Sequence, residues 1–176
     1  MVLQKFVKDS LTTMTELVLP NDTNTLNNLM GGKMMHWMDI VSAIAAQKHS
    51  NRIVVTASVD NVSFAQPIKL GNVVTLRAQV TRAFTSSMEV FIEVWGEDIP
   101  AGQRYISNKA FFTFVAMDQN GKPAHVPEVV PETEEEKALY ASALRRRQLR
   151  LVLAGRMKPH DASELKALFE LENPEV

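Results

Sequence analysis

Apolar and polar residues change period several times along the chain, and each change marks an element. Residues 10–19 (Ser-Leu-Thr-Thr-Met-Thr-Glu-Leu-Val-Leu) read as a first strand, and Pro20 to Asn24 (Pro-Asn-Asp-Thr-Asn) as a turn and loop. From about Gly32 to about His49 there is no proline, and Met34, Met35, Trp37, Met38, Val41, Ile44 and Ala45 cover most of a helical circumference. A helix that is apolar nearly all round belongs inside a core, not on a surface with one wet face.

Strand periods follow. Arg52 to Val62 holds the β-branched run Ile-Val-Val-Thr-Ala-Ser-Val. Val74, Leu76, Ala78 and Val80 alternate with Thr75, Arg77, Gln79 and Thr81, the period of a half-buried strand. Met88, Val90, Ile92 and Val94 alternate with Glu89, Phe91, Glu93 and Trp95, and Tyr105 to Met117 forms one long strand that Asp118-Gln-Asn-Gly121 terminates. The connections are too short for crossover helices, so the sheet is mainly antiparallel. Both faces of the long helix need burying, and the economical packing is an α+β fold: a curved antiparallel sheet wrapped around one central helix.

After Pro127 and Pro131 the pattern changes again. Thr133-Glu-Glu-Glu136 has capping-box spacing and predicts a helix running to about Gly155. Acids crowd its start, and Arg145, Arg146, Arg147 and Arg150 its later turns, the sense the helix dipole favours. Asp161-Ala-Ser-Glu164 opens a short last helix. We therefore expect a domain over 1–130 and a C-terminal helical extension over 131–176.

Composition narrows the function. With 19 Lys and Arg against 20 Asp and Glu the net charge is -1, which gives no support for nucleic-acid binding. There is no cysteine, so disulfides, Cys zinc sites and cysteine nucleophiles are excluded. The N-terminus has no apolar region of signal-peptide length and no run approaches the ~20 residues of a membrane span, so a cytoplasmic location is expected. His36, His49, His125 and His160 show no ligand spacing, and no metal is expected.

One carboxylate breaks the local pattern. Asp39 sits in the apolar helix, where an ionised group is costly unless it is paired or faces a polar cleft. Just upstream, Gly31-Gly32 suits backbone conformations closed to other residues and a close approach to a ligand. Each feature also has a plain structural explanation. Asp39 can be satisfied by a backbone group or by His36 one turn back, adjacent glycines can simply make a tight loop, and Asn24 is an ordinary turn residue.

Nine short pieces in order resemble the hotdog-fold acyl-CoA thioesterases, in particular the branch holding cytosolic brain-type acyl-CoA hydrolases and short bacterial relatives. They are Pro20-Asn-Asp-Thr-Asn24, Gly31-Gly32, Met38-Asp39, Val55-Thr-Ala-Ser-Val-Asp60, Phe64-x-x-Pro-Ile68, Gly71-Asn-Val-Val, Ser86-Ser-Met-Glu-Val90, Ala110-Phe-Phe-Thr-Phe114 and Val126-Pro127. They extend from about residue 10 to about residue 130. Asn27 stands where family members often carry glycine.

The resemblance implies a hotdog fold and hydrolysis of fatty acyl-CoA to free acid and coenzyme A, with no cofactor beyond the coenzyme A of the substrate and product. Asp39 matches the catalytic acid, as general base or as nucleophile, and Asn24 a second functional position. The backbone amides at Gly31 and Gly32 are candidates for the oxyanion hole. Thr56, Ser58, Arg82, Ser86, Ser87 and Lys109 are candidates for the coenzyme A path, since its phosphates need cations and hydroxyls. Each of these six also fits plain strand surface. The family builds its sites between two subunits, so Asn24 and Asp39 of one site would come from different chains. It commonly forms hexamers from dimers whose sheets are continuous. Two alternatives stand beside hydrolysis: an acyl-CoA-sensing module without turnover, and a hotdog hydratase or dehydratase using His36 with Asp39.

Overall fold

The structure, a computed structural model, describes residues 3–60 and 62–170. It divides into two compact units, the first ending at Val130 and the second beginning at Pro131. The first unit opens with a short strand β1 (Gln4–Phe6), a one-turn helix α1 (Val7–Ser10) and β2 (Thr12–Leu17). The long helix α2 (Gly31–Ser50) follows, then β3 (Ile53–Asp60), β4 (Val73–Ala83), β5 (Ser87–Asp98), β6 (Gln103–Met117) and β7 (Glu128–Val130). Five strands form an antiparallel sheet in the order β2-β4-β5-β6-β3, while β1 and β7 pair in parallel.

The sheet packs one face on α2. Met34, Trp37, Met38, Val41 and Ala45 of the helix meet a sheet face whose buried residues include Leu76, Val80, Met88, Ile92, Phe112 and Phe114. Side chains of this size contribute about 1.5–3 kcal/mol each when fully buried, and this layer is the core of the unit.

The helix is not buried all round, contrary to the sequence expectation. Gly32, His36, Ile40, Ile44 and Lys48, one residue every four, form an exposed row, with Ile40 at 37% and Ile44 at 40% exposure. A single sheet covers only one side of a helix, and the apolar residues of the other side remain open in the protomer. The first strand is also shorter than residues 10–19, because residues 7–10 form α1 instead. Of the strand expected over Arg52–Val62, β3 accounts for Ile53–Asp60, and Asn61 lies outside the described residues.

Asn51 in the left-handed region (φ 53°) ends α2, a conformation asparagine tolerates better than most residues. Just before it, the His49 ring is wholly buried and its Nε2–H donates to the Pro127 carbonyl at 2.8 Å, tying the end of α2 to the chain entering β7.

The second unit holds α3 (Glu134–Leu153) and α4 (Ser163–Glu170). Thr133 Oγ1 accepts from the Glu136 N–H at 3.1 Å and Glu136 Oε2 accepts from the Thr133 N–H at 3.2 Å, the reciprocal cap its sequence predicts. No helix among the described residues is long and apolar enough to cross a membrane.

His49 makes stability depend on pH. Burial pushes its pKa below the ordinary histidine value, and the Pro127 hydrogen bond only partly opposes this. The unfolded chain therefore binds a proton here more readily than the fold does. The stability the neutral ring contributes is fully present above about pH 6.5 and is lost as pH falls through and below that value. The urea midpoint is expected to drop between pH 7.5 and 5.5, and His49→Gln to reduce that drop. An identical drop in the variant would remove His49 from the account.

Candidate active site

Asp39 lies half-buried on α2, and its Oδ1 accepts a hydrogen bond from Thr56 Oγ1 on β3 at 2.7 Å. The carboxylate is thus satisfied from the sheet rather than by a backbone group or by His36. His36 is exposed and forms no ion pair with Asp39 among the described residues. No His, Asp and Glu cluster among the described residues is able to hold a metal ion.

The Thr56 hydroxyl reaches Asp39 because β3 is irregular. Thr56 pairs with Phe114 of β6, but Ser58 pairs with the adjacent Thr113, so Ala57 is an extra residue bulged out of the ladder. Side chains on a regular strand alternate, and residues two apart share a face. Here the bulge places Thr56 on the helix side and Ser58 on the opposite side. A bulge that re-aims a side chain is a common device beside reactive groups.

The residues expected along a coenzyme A path do not share one face of the sheet. Thr56 is held against Asp39 on the helix side of the sheet. Ser58, paired with Thr113, faces away from α2. Arg82 pairs with Glu89, and Glu89 in turn with Thr113, so Arg82 shares that outer face. Ser87 opposite Val115 and Lys109 opposite Glu93 also lie there, and Lys109 Nζ pairs with Glu93 Oε1 at 3.0 Å. Ser86 sits in the turn between β4 and β5, where its carbonyl accepts from the Ala116 N–H. None of these five converges on Asp39 within the protomer.

Gly31 and Gly32 are the first residues of α2, where the N–H groups have no intrahelical acceptor. Neither has a positive φ, so backbone freedom is not what glycine supplies here, as the sequence had suggested. At Gly31 the missing side chain matters: a Cβ there would lie 3.3 Å from the Phe64 ring. At Gly32 a Cβ would meet nothing within 4 Å.

Asn24 is exposed in the preceding loop. Its Oδ1 accepts from the N–H groups of Leu26 (2.9 Å) and Asn28 (3.2 Å), which commits the oxygen to the loop and leaves the side-chain NH₂ as the available group. The turn continues through Asn27, which has φ 57°. Asparagine is one of the few residues other than glycine that tolerate this left-handed conformation.

Asp22 was not singled out in the sequence. It is 7% exposed, its Oδ2 accepts from the Leu19 N–H at 3.0 Å, and its Oδ1 pairs with Lys33 Nζ at 3.2 Å. The backbone hydrogen bond from Leu19, and then Lys33, hold its pKa below the ordinary value. Asp22 thereby fastens the Asn24 loop to the first turn of α2. The available signal was an acid just after Pro20, in the position of a turn cap.

The candidates fall into two groups. Asn24, Gly31 and Gly32 gather at the start of α2. Asp39 and Thr56 lie further along, since the helix rises about 12 Å from Gly31 to Asp39 at about 1.5 Å per residue. Oxyanion donors must come within about 3 Å of the oxygen they stabilise, and an attacking group within about 3–3.5 Å of the carbon. The two groups of one protomer are set about two helical turns apart. A cleft of about 940 Å³ lined by Gln4, Asn51, Arg52, His125 and Glu128 lies beyond the far end of α2 and includes no candidate.

Comparison with known proteins bears on these residues. Residues 26–102 match the family model of the Thioesterase superfamily. A Bacillus subtilis (strain 168) protein described as an uncharacterized acyl-CoA thioester hydrolase is 47% identical over 142 residues, which is 81% of this chain and 83% of that one. The crystal structure of an apo-hexameric acyl-CoA thioesterase matches with TM-score 0.84 and 41% identity, covering 87% of this chain and 98% of the other. An acyl-CoA hydrolase from Staphylococcus aureus, in complex with butyryl coenzyme A, coenzyme A and coenzyme A disulfide, matches with TM-score 0.80 and 38% identity over 87% of this chain and 95% of its own. Three further structures of the S. aureus enzyme carry alanine in place of an aspartate, a threonine and an asparagine. These are spaced along that chain as Asp39, Thr56 and Asn24 are along this one.

The role of the Asn24 oxygen is open to direct test. Amide hydrogen exchange at Leu26 and Asn28 is expected to quicken in Asn24→Ala and to stay near the wild-type rate in Asn24→Asp, which keeps the acceptor. Unchanged exchange in the alanine variant would show that the side chain does not hold the loop.

Proposed function

We propose, on the premise that this chain belongs to the hotdog-fold acyl-CoA thioesterases and is an acyl-CoA thioester hydrolase, that it releases free acid and coenzyme A at a site completed by a second copy of itself. The observation that carries this reading is the separation along α2: Asp39 with its Thr56 partner stands about 12 Å from the amides of Gly31. One copy supplies the carboxylate and the other the donors at a helix start. We take residues 1–130 as the hydrolase domain and 131–176 as a helical extension.

The roles follow from the chemistry. Asp39 acts as general base. Thr56 holds Oδ1, and Oδ2, which has no partner among the described residues, takes a proton from water. The water oxygen bonds to the thioester carbon and the carbonyl electrons move onto oxygen, where the free N–H groups of Gly31 and Gly32 and the positive end of α2 stabilise the charge. Collapse expels the thiolate, which takes the proton back to leave as coenzyme A. The Asn24 NH₂ is the group in this loop available to orient the carbonyl or the water. Support comes from the matching spacing of the three residues replaced in the S. aureus enzyme.

The partner copy has a place to dock. β3 is an edge of the sheet, with Ile53 (69%) and Val55 (46%) exposed, and Ile40 and Ile44 are exposed on α2. Pairing two such edges continues the sheet and brings the α2 rows of the two copies together on its helix side. A hexamer of three such dimers is the proposed assembly, in line with the relative described as hexameric.

Thiol release from a panel of acyl-CoAs tests the reaction. The chain has no cysteine, so every thiol detected is coenzyme A. Asp39→Asn is expected to lower kcat by about 10²–10⁴-fold. Tight acyl-CoA binding without turnover in the wild type would favour the sensing alternative. Loss of an enoyl or hydroxyacyl thioester without thiol release would favour the hydratase.

Two variants separate positioning from fold. Thr56→Val is expected to lower kcat with little change in KM, and Thr56→Ser to restore most of it. Asn24→Asp is expected to lose activity while the loop stays ordered. Mixing refolded Asp39→Asn and Asn24→Asp chains should regenerate activity, because one of the two sites in each mixed dimer is intact. No recovery from mixed dimers would place both groups in one chain's site.

A further inference from the structure

The segment joining β3 to β4 carries Phe64, and β6 holds it from beneath. Tyr105 Oη donates to the Pro67 carbonyl at 3.1 Å, Ser107 Oγ to the Gln66 carbonyl at 2.8 Å, and Asn108 Nδ2 to the Ser63 carbonyl at 2.7 Å. Tyr105 reaches that far because its cross-strand partner is Gly96, where a Cβ would lie 2.6 Å from the ring. The far end of the segment is stitched to the chain after Asn24: the Leu29 N–H donates to the Ile68 carbonyl at 2.7 Å and the Leu70 N–H to the Asn27 carbonyl at 2.9 Å. An exposed connection is thus fixed to the sheet and to the start of α2 together.

Two features stand out at this clamp. The first is the Phe64 ring, which is 50% exposed yet occupies the space a side chain at Gly31 would need, with Cε2 and Cζ each 3.3 Å from the missing Cβ. A large aromatic group left half in water contributes little to the core, and its place beside Gly31 is what the clamp secures. The second is Asn108. It is 3% exposed, its NH₂ is used on Ser63, and its Oδ1 has no hydrogen-bond partner. A buried acceptor left empty is unusual and calls for an explanation. Through its NH₂ this side chain is bonded to Ser63, the residue before Phe64.

We propose that Phe64 determines specificity for the acyl group, as the wall that the first carbons of the chain lie against. The inference rests on the hydrolase reading above. When a thioester oxygen is held by the amides of Gly31 and Gly32, the carbons bonded to that carbonyl lie next to the ring face. A flat, clamped wall accepts a methylene chain lying along it. A branch at the carbon next to the carbonyl points into the wall and pushes the carbonyl off the amides. Phe64 therefore selects unbranched over α-branched acyl groups, and the selection acts on the transition state because it acts through the position of the oxyanion.

The test compares kcat/KM for butyryl-CoA and isobutyryl-CoA, which differ only in the branch, measured by thiol release. Wild type is expected to prefer the unbranched substrate by roughly tenfold or more, in the range that small apolar differences give. Phe64→Ala is expected to bring the ratio close to one, Phe64→Leu to give an intermediate value, and Phe64→Tyr to keep the wild-type ratio. The ratio does not depend on the fraction of folded enzyme, so partial unfolding of a variant cannot imitate the effect. A wild-type ratio retained in Phe64→Ala overturns the proposal and leaves hydrolysis standing. Absence of turnover of either substrate by the wild type overturns the hydrolase reading and this proposal with it.

Discussion

A single curved sheet can cover only one side of a helix, and the rest of this structure follows from that limit. α2 is apolar around most of its circumference, and the sheet meets Met34, Trp37, Met38 and Val41 but leaves Ile40 and Ile44 open. The exposed row runs the length of the helix. In the dimer proposed above, the same row of a second copy covers it under a two-fold axis.

The same limit governs the chemistry. The free amides of a helix exist only at its first turn, while the bulged strand delivers its hydroxyl to Asp39 well down the helix. Within one chain these groups stand about two turns of helix apart. In the proposed dimer, two antiparallel helices related by a two-fold axis set the start of one against the middle of the other. Burial of the apolar row and assembly of the reactive groups are then one event.

Much of this was legible in the sequence, and the limits of that reading are physical. The long helix and the four long strands announce themselves because their periods persist over many residues, and the antiparallel order follows from short connections. Gln4–Phe6 and Glu128–Val130 form a pair too short to carry a period, and their partner lies across almost the whole domain. The wet face of α2 was misread because an apolar side chain intended for a partner looks the same as one intended for the core. A period of two would put Thr56 and Ser58 on one face, and the single bulged residue between them, which separates them, leaves no mark on composition. Gly31 was expected to need an unusual backbone conformation, but its φ is ordinary, and the close neighbour of its missing side chain is Phe64, a contact between distant residues that the sequence does not display. Asp39 stood out at once, because an acid among methionines violates the pattern around it.

The bulge at Ala57 has a consequence beyond the aim of one hydroxyl. It sits in the strand that ends the sheet, and an end strand is a template on which any extended polypeptide in a crowded cell can grow. A ladder broken midway by an extra residue fits a partner carrying the same irregularity and rejects a uniformly pleated stranger. The distortion that turns Thr56 toward Asp39 therefore also acts as a lock against the open-ended stacking that leads to fibrils.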